Sequence, residues 1–88
     1  MTNEELVAEI TRVGDGTYKD VRMLDDGTIV GTVDLLYTRG VMTDMDLNGY
    51  GHRYCYEDRK LATIAARALV TGDDKPIPGY IAERHLQL

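Results

Sequence analysis

The chain has no tryptophan, no phenylalanine, a single cysteine and only two prolines. One cysteine excludes an intramolecular disulfide and a thiolate zinc cluster. No apolar run approaches the roughly 18 residues of a membrane span. The N-terminus, MTNEELVAEI, carries acids where a signal peptide needs a basic start and an apolar core. These absences predict a soluble protein of the cytoplasm. Without Trp or Phe, the bulky mass of core and interfaces falls to six Tyr and four Met.

What is present describes one small globular domain over residues 1–88, with 43% apolar and 28% charged residues. A chain this short buries only about two-thirds of its unfolded surface. Its stability alone is therefore modest, and a homodimer is a reasonable expectation. Fifteen acids against ten bases give a net charge of −5. That balance opposes direct nucleic-acid binding, whose affinity comes largely from Lys and Arg on phosphates. It suits a partner with a basic surface, or plain solubility.

Hydrophobic periodicity predicts two helices around four strands. Thr2 and Glu5 have capping-box spacing, and Leu6, Val7, Ile10 and Val13 share a helical face that stops at Gly14 and Gly16. A strand over Tyr18–Leu24 turns at Asp25-Asp26-Gly27 into a second over Thr28–Tyr37, apolar on one face and partly so on the other. A two-residue turn at Asn48-Gly49 pairs Leu47 with Tyr50, Met45 with His52, Thr43 with Tyr54 and Val41 with Tyr56. Those eight side chains share a face, with Asp44 opposite Arg53 on the other. Glu57 or Asp58 caps a second helix with Leu61, Ile64, Ala65, Ala68 and Leu69 toward the core. Gly72 ends it, Pro76–Gly79 is extended, and Tyr80 and Ile81 anchor the tail before a frayed end over 85–88. The expected fold is α+β: a four-stranded antiparallel meander with two helices packed on one face, in the order α-β-β-β-β-α.

No catalytic or metal constellation stands out, and no cofactor is implied. His52 and Cys55 lie three apart on a strand and point to opposite faces, which separates them as metal ligands or as a nucleophile–base pair. Asp44 and Asp46 form a D-x-D, yet no Gly-rich phosphate loop or P-loop lysine accompanies it. The tyrosines at 50, 54 and 56 could stack a nucleotide ring, but the register places them under the helices. The acids gather at Glu4, Glu5 and Glu9, at Asp25 and Asp26, at Asp44 and Asp46, and at Asp73 and Asp74. Carboxylates so spaced on a rigid body can imitate a phosphate backbone and fill a basic groove.

From Leu35 onward the chain resembles small proteins encoded by bacteriophages, especially those of actinobacteria. Their pattern is a G-Y…W/Y-C-Y strand, an alanine-rich helix, an aspartate–glycine loop and a P-x-G-W close. The matching positions are Gly49, Tyr50, Tyr54, Cys55, Tyr56, Ala62, Ala65, Ala66, Gly72, Pro78, Gly79 and Tyr80, with Tyr54 and Tyr80 where tryptophan is usual. The resemblance implies a phage accessory protein, similar in class to inhibitors of host machinery such as anti-CRISPR proteins. The expected contacts with a host protein complex are Asp25, Asp26, Asp44, Asp46, Asp73 and Asp74, with Met42 and Tyr80 as exposed apolar anchors. The alternatives are a nucleotide- or small-ligand-binding homo-oligomer and a minor structural phage protein.

Overall fold

The computed structural model describes residues 1–85. Seven elements follow in order: α1 (Asn3–Val13), β1 (Tyr18–Met23), β2 (Ile29–Asp34), β3 (Arg39–Thr43), β4 (His52–Tyr56), α2 (Arg59–Ala68) and β5 (Tyr80–His85). The strands form one antiparallel sheet in the order β1-β2-β3-β4-β5. The α+β class follows the expectation, but the sheet has five strands instead of four. The segment read as an anchored tail is β5, hydrogen-bonded along β4. Without it, β4 would leave its edge N–H and C=O groups unpaired. Beyond the paired backbone of His85, the frayed end predicted over 85–88 lies outside the described residues.

The helices sit on opposite faces, correcting the single-face arrangement. Ile10 of α1 packs with Ile29, Val33, Met42 and Met45. Ala62, Ala65, Ala66 and Leu69 pack with Leu24, Val30, Val41, Tyr54 and Tyr56. Neighbours in sequence, Ile29 and Val30 or Val41 and Met42, thus belong to different clusters. Successive strand side chains point to opposite faces, so an unbroken buried run through β2 requires cover on both sides. Each large apolar side chain so buried contributes about 1.5–3 kcal/mol.

Local chemistry explains the helices. Thr2 Oγ1 accepts from Glu5 N at 3.1 Å, and Glu5 Oε1 accepts from Thr2 N at 3.1 Å, the reciprocal cap the spacing predicts. Asp58 caps α2, accepting from Lys60 N and Leu61 N. The stripe α2 buries is rotated from the expected one: Ala62, Ala65 and Ala66 face the sheet while Ile64 is 58% exposed. The rings of Tyr54 and Tyr56 fill the space beneath the helix, and only small side chains let it sit close above them. Tyr80 closes this cluster, edge-on to Tyr54 at 5.1 Å and to Tyr56 at 5.8 Å.

Two non-glycine residues with positive φ redirect side chains. At Asp20 (φ 52°) the pairing with β2 slips between Lys19 and Arg22. The slip turns Arg22 toward α2, where its Nη2 donates to Ala66 O and Leu69 O at 2.8 Å and to Arg67 O at 3.2 Å. At Asp44 (φ 53°) the alternation along β3 breaks, and Met45 joins Met42 on the α1 side.

Candidate functional site: the acidic end of the sheet

An antiparallel meander sends alternate turns to the same end of the sheet. The β1–β2 turn, the β3–β4 loop and the exit from α2 therefore meet. Met45 N donates to Ile29 O at 2.9 Å, joining the β3–β4 loop to the start of β2, and Asp25 N donates to Val70 O at 3.4 Å. Asp26 Oδ2 accepts from Gly72 N at 2.7 Å, fastening the first turn to the loop after α2. All six predicted aspartates, from positions 25, 26, 44, 46, 73 and 74, are exposed and belong to these three loops.

Their carboxylates have different jobs. Asp26 also accepts from Thr28 N at 3.0 Å. The Gly72 and Thr28 amides stabilise its anion and hold its pKa below the usual carboxylate range. Asp74 Oδ2 accepts from Val70 N and Thr71 N at 2.9 and 3.0 Å. Backbone bonds to Thr71 and Val70 lower its pKa, partly opposed by the Asp26 charge. Asp46 Oδ1 accepts from Asn48 N at 2.7 Å inside the β3–β4 turn. Asp44 Oδ2 lies 3.1 Å from His52 Nδ1. Asp25 and Asp73 point to solvent with no hydrogen bond to their carboxylates among the described residues. The end is thus a rigid acidic face in which Asp26, Asp46 and Asp74 shape the loops and Asp25 and Asp73 are uncommitted.

The β3–β4 register differs from the predicted one by two residues. Val41 opposes Tyr54 and Thr43 opposes His52, and the turn closes with an Asp46–Gly49 bridge around Leu47 and Asn48. A sequence signal for this was present. Asp-x-Asn-Gly carries Asp at the first and Gly at the last position of a type I turn, with the Asp side chain able to bond the amide two residues on. Because the shift is even, Tyr54 and Tyr56 remain beneath α2, whereas Met45 and Tyr50 pack on the α1 side. Arg53 consequently opposes Met42, not Asp44.

Both apolar anchors need correction. Met42 is fully buried, 0% exposed, because α1 covers the face on which it lies. Tyr80 is half-buried against Tyr54 and Tyr56. Other apolar side chains are exposed instead, Leu47 and Val70 among them at the acidic end. Leu36 and Tyr37, 80% and 82% exposed, form the β2–β3 turn at the opposite end of the sheet. Sequence reasoning missed them by extending β2 through Tyr37.

The tyrosine stripe offers no open stacking platform: Tyr54 is 4% exposed and Tyr56 0%. Burial pushes the Tyr56 phenol up to about 12, and its hydroxyl donates to Ile77 O at 2.5 Å. Cys55 is buried on the face opposite His52. Among the described residues no three His, Cys, Asp or Glu side chains converge on a possible metal position, and no helix is long and apolar enough to cross a membrane. A shallow groove of about 390 Å³ runs between α1 and β1, lined mainly by Val7, Ala8, Val21 and Met23. No protein-family model matches the chain, and neither the curated proteins nor the solved structures contain a match to it.

Proposed function

We propose that the protein is a non-enzymatic binding module whose acidic end engages a basic surface on a host nucleic-acid-handling or defence complex. In this reading it is a phage accessory inhibitor, anti-CRISPR-like in class. The single observation that carries it is the gathering of six aspartates, from three separate loops, on one end of one sheet. Backbone hydrogen bonds hold two of them as anions, so the charge is fixed in place before a partner arrives. A pre-ordered acidic face spends little entropy on docking and can occupy Arg and Lys side chains that otherwise hold phosphate.

The test is a pulldown from host lysate across a salt series, comparing the native chain with a D25K/D73K variant. The expected result is capture of a nucleic-acid-processing complex by the native chain, its release as salt screens the pairs, and no capture by the variant. Absence of any captured complex, or capture indifferent to both salt and charge reversal, overturns the proposal.

A further inference from the structure

Arg53 of β4 and Arg84 of β5 stand directly opposite one another in the sheet register. Side chains so paired share a face with Cβ atoms about 5 Å apart, and like charges there repel. No carboxylate pairs with either guanidinium: the ion pairs of the described residues involve neither. Asp44, the partner expected for Arg53, is turned toward His52 instead.

Arg53 is also held in position. Its stem lies over Gly40, where an added Cβ would come within 3.0 Å of Cγ and 3.1 Å of Cδ. Its Nη1 donates to the Tyr50 hydroxyl at 3.0 Å, and the guanidinium carbon lies 5.8 Å from the Tyr50 ring centre. Nε is buried and has no acceptor, and a buried donor without a partner costs about 1–3 kcal/mol. This is the α1 face of the sheet. The next row there is Gly40, Cys55 and Ala82, three small residues, with the Arg53 stem lying over Gly40. The arrangement is two opposed guanidiniums, one of them pre-ordered by Tyr50.

From this geometry we infer that Arg53 and Arg84 form a binding site for a phosphate group carried by a small ligand, on the α1 face of the sheet next to the β3–β4 loop. A planar guanidinium presents parallel N–H donors that match phosphate oxygens, and a bound dianion removes the repulsion between the two arginines. Arg53 supplies the fixed donors, and the exposed Arg84 closes over the anion.

Inorganic phosphate is titrated into the full chain at constant ionic strength, following the arginine Nε–Hε and the Cys55 and Ala82 amide signals by NMR. Saturable shifts of these signals are expected, with affinity about tenfold weaker in R84A, the loss of one charge-assisted contact. R53K keeps the charge but loses the fork and is expected to weaken binding comparably. Should R53K fail to fold, R84A carries the test alone, because Arg84 is exposed and its removal relieves a like-charge pair. Equal affinity in native and R84A chains, or the same shifts on adding chloride, overturns the inference.

Discussion

Asp44 and His52 meet, Oδ2 to Nδ1 at 3.1 Å, because Asp44 adopts a left-handed backbone with φ of 53°. The same conformation sends Met45 to the α1 side, where it is 4% exposed. Asp44 therefore acts through its backbone more than its charge. The pair with His52 is substantially exposed and contributes about 0–1 kcal/mol. Asp44→Asn, which tolerates φ above zero, is expected to change stability by less than about 0.5 kcal/mol. Asp44→Val is expected to cost about 2 kcal/mol, because a β-branched side chain is strained there. Urea unfolding of the two variants measures the difference; equal losses would show that charge, not backbone, decides.

Arg22 joins the first strand to the end of the second helix through three carbonyls, on Ala66, Arg67 and Leu69. These carbonyls lie at the end of the helix, where Ala66 O also accepts from Leu69 N, and a cation there opposes the helix dipole. Arg22→Met keeps much of the stem and removes the donors. It is expected to cost about 1.5–3 kcal/mol, the range for hydrogen bonds from a charged group. Amide exchange checks the mechanism, with protection lost first in the C-terminal turn of α2.

Asp44 and Arg22 also mark where the sequence stopped being legible. Helix caps at Thr2 and Asp58, the Asp25–Gly27 turn and the burial of Tyr54 and Tyr56 are short-range consequences of composition and period, and they were readable. Which face each helix covers is a long-range matter. The double-sided apolar pattern of β2 was visible, but by itself it does not say what covers the second face. Side-chain alternation failed at Asp20 and Asp44, where single residues with positive φ reset it. Nothing in a lone Asp announces that conformation. The acidic residues could be counted from the sequence, but their convergence on one end needed the strand order. β5 escaped because Pro76–Gly79 reads as a terminus when its partner edge is unknown.

The fold is expected to lose stability toward both pH extremes for separate reasons. Hydrogen bonds from Arg39 and Lys19 hold Asp34 at about 2, below its ordinary 3.8. A depressed carboxyl contributes stability above its unfolded pKa and loses it as pH falls toward the folded one. Asp34→Asn should therefore cost about 1 kcal/mol at neutral pH and nothing extra at pH near 2. Tyr56 is raised to about 12 from 10.0 by burial. Its contribution is complete below the unfolded value and disappears as pH rises from 10.0 to about 12. Tyr56→Phe should be less stable by about 1 kcal/mol at neutral pH, through the lost bond to Ile77, yet show a smaller alkaline loss. Thermal melts from acid to alkali separate the two, and a native-like alkaline loss in Tyr56→Phe would assign that limb to other groups.

The acidic end can be divided by experiment into scaffold and contact. Asp26 accepts from Thr28 N and from Gly72 N, the second bond crossing between loops, and Gly72 sits so close that an added Cβ would lie 2.2 Å from Thr28 Oγ1. Asp74 organises Val70 and Thr71. Asp26→Ala and Asp74→Ala should each lower Tm by a few degrees, because each frees loop amides that have no other acceptor among the described residues. Asp25→Asn and Asp73→Asn alter exposed carboxylates outside these hydrogen bonds and should leave stability within about 0.5 kcal/mol of native. The opposite ranking is expected for partner capture. Removing Asp25 and Asp73 together should weaken it and flatten its salt dependence, since rim charges act mainly on association rate and ionic-strength sensitivity. Loss of capture in step with Tm across all four variants would mean that loop order, and not the exposed charge, is what the partner reads.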